Sequence, residues 1–308
     1  MTFSIVAVDR SNGDVGIAVA SKFLAVGSVV PWARAGVGAV ATQAWANVAY
    51  GPQGLDLLAA GVEPADAIDR LTRDDPGRAE RQAGIVDIHG RAATYTGDGC
   101  IPWAGGRIAD GVAAQGNLLV GPDVVDAMLG AFQSTAGSLP DRLLAALVAG
   151  DEAGGDRRGR QSSALLVVRE AGGYGGGNDR WLDLRVDDHP DPVPELLRLR
   201  AIGRLLNERP ASWDLIPIDA ELSAELRSRL ASAGWSPTRD DAFASIIRAA
   251  TAEARRAGEP REAPPDWTRA WDAELLAWMG VANLEERAAA IGWIDPAVLA
   301  ELRAGTDA

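Results

Sequence analysis

Residues 2–21 read TFSIVAVDRSNGDVGIAVAS. Two apolar runs flank Ser11-Asn12-Gly13-Asp14, and Asn-Gly readily takes positive φ. The stretch therefore predicts a β-hairpin with arms 2–9 and 15–21. Gly16, Ala18 and Ala20 keep the second arm thin, which predicts a neighbour packed closely on it. The first arm begins at residue 2, so that residue would be held at the end of a rigid strand.

Further along, strands are expected at 36–42, 81–87, 91–96 (turning about His89-Gly90), 106–110, 112–119, 162–169 and 181–186. Helices are expected at 52–60, 64–73, 123–133 and 139–148, with Pro64 suited to a first helical turn. Runs of strands and runs of helices alternate as blocks, which predicts α+β rather than alternating α/β. After Asp187 the pattern becomes helical, at 195–206, 221–233, 240–256, 267–279 and 296–303, with a Pro-rich linker near 210–217. Two domains follow, 1–210 and 211–308, the second small and all-α. Trp235, Trp267, Trp271, Trp278 and Trp293 gather there. Trp267, Trp271 and Trp278 are four and seven residues apart, which places them on one helix face, as core or as a dock.

The chain has 308 residues and a formal net charge of −13. That acidity opposes nucleic acid and anionic membrane as partners, since both select basic surfaces. Cys100 is the single cysteine and Lys22 the single lysine. One cysteine allows no internal disulfide, and the first residues show no basic leader and meet Asp9 early; a cytoplasmic location is expected.

Thr2 follows the initiator methionine. Once that methionine is removed, Thr2 carries a free α-amine, with a reference pKa of about 7.7–8.0, beside its own hydroxyl. Nucleophile and base then sit on one residue. Thr is also common at position 2 for no chemical reason; the apolar strand that starts at Phe3 is what favours the catalytic reading.

Several segments resemble one family. They are MTFSIVAVD (1–9), AVASKFLAVGSVVPWARAGVGAVATQAWAN (18–47), YGPQGLDLLAAG (50–61), GIVDIHGRAATYTGDGC (84–100), AAQGNLLVG (113–121), GGDRRGRQSSALLVVR (154–169) and DRWLDLRVDDHPDPVPEL (179–196). In this order they resemble the DUF1028 family of bacteria and archaea. The resemblance implies a four-layer αββα sandwich of Ntn-hydrolase type and, by analogy, cleavage of an amide bond in a small or peptide-like substrate. WMGVANLEER (278–287) and IDPAVLAELR (294–303) resemble a C-terminal helical segment of peptidoglycan-binding type. Without an export signal, that segment is expected to pack on the first domain or across a homodimer instead.

Within this resemblance, Ser21 and Lys22 end the returning strand, where a polar or basic group would tune the terminal amine. Strand alternation forbids both from facing Thr2 unless a bulge intervenes. Lys22 is equally readable as a solvated strand end. Asn117 is a candidate oxyanion donor and is also readable as a buried amide satisfied by its neighbours. Gln115 lies in the same strand, while Thr42, Gln43 and Asn47 follow another buried strand; buried polar groups of this kind need partners, and Thr42, Gln43 and Gln115 are candidates to contact substrate. The Gly- and Arg-rich loop with Asp156, Arg157, Arg158 and Arg160 could read a substrate carboxylate or be satisfied by its own salt bridges. His89 and His189 lack triad spacing, Cys100 reads as a small buried residue, and Asp187-Asp188-His189 reads as a helix cap. With no zinc, P-loop or dinucleotide motif, no metal or cofactor is expected. The alternative to an enzyme is a binding protein that keeps the fold, with the helical domain docking a glycan or a protein.

Overall fold

The computed structural model describes residues 2–208, 215–235, 269–289 and 291–306, the side chains of 269–271 and 306 excepted. The chain forms two compact units, Met1–Leu199 and Arg200–Ala308. The first unit is mixed α+β.

Its first strands are β1 (Thr2–Asp9) and β2 (Asp14–Ser21). They form the expected hairpin, with Asn12 Oδ1 accepting from the Asp14 amide at 3.0 Å. Next come β3 (Pro31–Arg34), β4 (Gly38–Ala44), α1 (Tyr50–Ala59) and α2 (Pro64–Arg73). β5 (Arg81–Asp87), β6 (Ala92–Thr96), β7 (Gly105–Ala109) and β8 (Val112–Asn117) follow. α3 (Asp123–Ser134), α4 (Leu139–Glu152), β9 (Ser162–Val168), β10 (Arg180–Val186) and α5 (Pro192–Asn207) complete the order. One sheet has six strands ordered β10-β9-β2-β1-β8-β7, the other four ordered β3-β4-β5-β6. All the pairings are antiparallel.

β3 left no clear signal in the sequence. It is a four-residue edge strand that opens on Pro31, and an edge is where a sheet tolerates proline. β4 begins at Gly38 rather than 36, because the Val37 amide closes the preceding turn onto the Arg34 carbonyl at 3.1 Å. β8 stops at Asn117 rather than 119, because Leu118 turns to φ 52°.

Alternate residues of β1 serve different cores, as the period of a strand requires. Phe3, Ile5 and Ala7 join Met128 of α3 and Leu143 and Leu147 of α4. Val6 and Val8 join Val15, Ile17 and Val19 of β2 with Ala39, Ala41 and Val86 of the four-stranded sheet. On the other face of that sheet, Val40 and Ile85 pack with Leu55 of α1 and Ile68 of α2. The close neighbour of β2 is α4: a Cβ added to Gly16 would meet Leu143 Cδ1 at 2.8 Å.

The two units divide within α5 rather than at residue 210. Leu196 and Leu199 turn to the core of the first unit, and Leu205 and Leu206 to that of the second. In the second unit α6 (Ala220–Ser232), α7 (Arg269–Val281) and α8 (Pro296–Thr306) are described. Asp219 caps α6 by accepting from the Leu222 amide at 2.8 Å. Leu226, Leu230, Trp235, Met279, Val298 and Leu302 form the core, with Trp278 half-buried against it. The expectation of an all-α domain needs one correction. Strands β11 (Ile216–Pro217) and β12 (Trp293–Ile294) pair antiparallel, and two-residue strands are too short to show a period of two. The expected helix 240–256, Trp267 and the side chain of Trp271 lie outside the described residues, so the shared tryptophan face does too.

Candidate active site

Thr2 is the first residue of β1, between β2 and β8. Alternation turns its side chain, with Ser4, toward the space between the sheets. Thr2 is 3% exposed, and its Oγ1 lies 3.0 Å from Ser21 Oγ. In register it stands opposite Asn117. The Gln43 side-chain amide donates to the Thr2 carbonyl at 3.3 Å.

Around this point the interior is polar. Ser4 Oγ donates to Gln43 Oε1 at 2.6 Å. Gln82 Oε1 accepts from both Gln43 Nε2 and Asn117 Nδ2, each at 2.8 Å. Gln82 Nε2 in turn donates to the Gly116 carbonyl at 2.7 Å and to Thr96 Oγ1 at 2.9 Å. Gln115 Nε2 donates to Ser4 Oγ at 2.7 Å. Gln115 Oε1 is buried without a partner, facing Gly84, where an added Cβ would lie 2.0 Å away. Gln82 thus fixes which way the Asn117 amide points, and one Asn117 N–H remains for another acceptor.

Ser21 and Lys22 separate as strand alternation requires. Ser21 meets Thr2, whereas Lys22 Nζ donates to the Arg160 carbonyl at 3.1 Å. The tuning role expected of Lys22 therefore gains no geometric support. Asp156, with a side chain 2% exposed, accepts from the Lys22 amide at 3.0 Å and pairs with Arg158 Nη2 at 2.8 Å. It anchors the chain just past Ser21. Arg160 is paired with Asp151 at 2.8 Å and Asp191 at 3.3 Å, and the exposed Arg157 makes no ion pair among the described residues. Asp156 and Arg160 line a cavity of about 410 Å³ together with Phe3, Ser21 and Asp151. Thr42 Oγ1 donates to the Asn47 carbonyl at 3.0 Å, which shapes the loop after β4 and leaves that hydroxyl turned to the loop.

That loop has a hub the sequence did not reveal. Asp75 accepts from Asn47 Nδ2 at 3.1 Å, Tyr50 OH at 2.7 Å and Arg81 Nε at 3.0 Å. The Arg81 guanidinium holds the Asp75 carboxyl well below the usual carboxylate range, and burial pushes the Tyr50 phenol up. Arg81 Nη1 donates to the Trp45 carbonyl at 2.5 Å, so the hub fixes the Trp45 backbone. A second cavity, about 310 Å³, is lined by Phe23, Ala44, Trp45, Ile101, Asn117 and Arg158 among others. Cys100 also lines it, and burial pushes its thiol up.

The family model described as "Family of unknown function (DUF1028)" matches residues 2–196. The chain belongs to this family. Among solved structures, the crystal structure of protein SPO2555 from Silicibacter pomeroyi, also assigned to DUF1028, is similar at 34% identity with a TM-score of 0.60. The match covers 66% of this chain and 89% of that one. No curated protein matches the chain. The DUF1028 match contains every residue of the site just described and ends within α5.

The remaining candidates of this DUF1028 chain are occupied by turns. The His89 amide donates to Asp87 Oδ1 at 3.0 Å, and His189 Nδ1 accepts from the Asp191 amide at 3.0 Å. Among the described residues no group of three His, Cys, Asp or Glu side chains is placed to hold a metal, and no helix is long and apolar enough to cross a membrane. Gln82 was missed by sequence reasoning. Its signal was the one used for Gln115, a glutamine in an apolar strand whose alternation turns it inward.

Proposed function

We propose that this DUF1028 chain is an amidohydrolase of the N-terminal-nucleophile type, with its cores stacked as an αββα sandwich. One observation carries the reading. Thr2 opens a central strand with its hydroxyl buried against Ser21 and its register partner Asn117 on the wall of a cavity. A rigid strand end, a hydroxyl and an amide donor at one place are what acyl transfer needs.

After Met1 is removed, the neutral α-amine takes the proton of Thr2 Oγ1 as that oxygen bonds to the substrate carbonyl carbon. The free Asn117 N–H stabilises the oxyanion. Collapse breaks the C–N bond, and the ammonium proton goes to the leaving nitrogen. Water then attacks the Thr2 ester, gives one proton to the amine, and releases the acid; that proton returns to Thr2 Oγ1. The sum is amide plus water to acid plus amine. Ser21 holds the Thr2 hydroxyl between attacks.

Intact-mass measurement first establishes loss of Met1. Incubation with a β-lactone should then add one acyl mass to Thr2, and the Thr2→Ala protein should stay unmodified. An unmodified parent, or an adduct that survives in Thr2→Ala, would overturn the reading. The second unit is proposed as an assembly or specificity element of a cytoplasmic homodimer. Removing residues 209–308 is expected to change the oligomeric state or the substrate range, measured by light scattering and by activity. Saturable, tight binding of that unit to purified peptidoglycan would sink this assignment.

A further inference from the structure

Three routes lead from Thr2 into the wall of the cavity of about 310 Å³. Asn117, the register partner of Thr2, lines it directly. Phe23 lines it two residues beyond Ser21, whose hydroxyl meets that of Thr2. Ala44 lines it one residue beyond Gln43, whose amide holds the Thr2 carbonyl. The cavity wall thus includes the register partner of Thr2 and begins one or two residues from groups that touch Thr2.

The chemistry of the wall is distinctive. Phe23, Trp45 and Ile101 are 51%, 73% and 52% exposed, unusual for large apolar side chains gathered at one mouth. Asp75 and Arg81 hold the backbone of Trp45 in place through its carbonyl. Two charged residues share the wall. Arg158 is bound by the Asp156 carboxylate through Nε at 3.1 Å and Nη2 at 2.8 Å. Glu80 makes no ion pair among the described residues. The wall is thus largely apolar, with one residue of each charge sign on it. Its volume lies at the small end of ligand pockets, which run from about 300 to 1,000 Å³.

Building on the nucleophile reading above, we propose that this cavity is the acyl pocket, and that the substrate's acyl part is a compact apolar group, with Phe23, Trp45 and Ile101 determining specificity. The contact is geometric: an apolar group covers the rim side chains and displaces water from them.

The test measures binding apart from catalysis. Thr2→Ala protein without Met1 is titrated with phenylacetamide, acetamide and glutaramate and followed by NMR. Each added methylene in an apolar pocket is worth about tenfold or more, so phenylacetamide is expected to bind at least about tenfold tighter than acetamide, and tighter than glutaramate, whose carboxylate an apolar rim would strip of water. Trp45→Ala and Ile101→Asn, placed on the Thr2→Ala background and checked for folding by circular dichroism, are expected to erase that preference. Three outcomes would overturn the proposal: no saturable phenylacetamide binding, tighter binding of glutaramate, or a preference untouched in both rim variants. The β-lactone adduct on Thr2 is read separately in the parent, so loss of the pocket assignment and loss of the nucleophile are told apart.

Discussion

The space between the two sheets has two unlike ends. Away from the start of β1 it is filled by Val6, Val8, Val15, Ile17 and Val86. At the start of β1 the same layer holds Thr2, Ser4, Gln43, Gln82, Gln115 and Asn117, all nearly inaccessible to solvent. Valines at the first end stabilise simply by leaving water. Amides at the second gain little net stability even when paired and cost much when a partner is lost. A fold under no other demand would continue the valines. The amide end is therefore where the molecule gives up stability for orientation, and it is the end that holds Thr2.

Four changes break or sharpen that contrast. The largest effect is expected on activity: Thr2→Ala, with Met1 removed, should lower kcat/KM by about a thousandfold or more while the melting temperature stays close to the parent's. Activity within a few-fold of the parent would place the chemistry elsewhere. Gln82→Leu strands the Asn117 donor and one Gln43 donor in the interior, so unfolding in urea should show a loss of about 2–4 kcal/mol. Activity should fall further than stability alone explains, because Asn117 loses its orientation.

Asp75→Asn acts through the loop that carries Trp45. The folded Asp75 carboxyl is held below its unfolded value, so its contribution is complete above about pH 4 and is lost as pH falls below that value. Melting temperatures of parent and variant should differ at neutral pH, and the gap should narrow steadily as pH falls below about 4. A gap that persists unchanged in acid would mean that the charge on Asp75 is not what the hub uses. The smallest effect belongs to the apolar end: Ile17→Val should cost about 0.5–1.5 kcal/mol and leave kcat/KM unchanged. A loss of activity there would show that the two ends are not independent.

Much of this was legible in the chain itself. The hairpin over residues 2–21 and the blockwise order of strands and helices in the first unit follow from apolar periodicity and turn residues, which are local properties. Thr2, Asn117, Gln43 and Gln115 stood out for equally local reasons, as polar groups at the start or in the interior of apolar strands. Lys22 shows the limit of that reasoning. Position and charge marked it, but a strand turns consecutive residues to opposite faces, and Ser21 holds the inward place.

What the sequence by itself determined is therefore which segments become strands and helices and which polar residues are buried. Only the tertiary structure decided their company: that Gln82 joins Asn117 to Gln43, that Asp75 reaches Trp45 through Arg81, and that Phe23, Trp45 and Ile101 from three separate loops rim one cavity. The reason is physical. Periodicity is set by neighbours along the chain, whereas these contacts join residues of two sheets, and their pairing depends on how the sheets pack face to face.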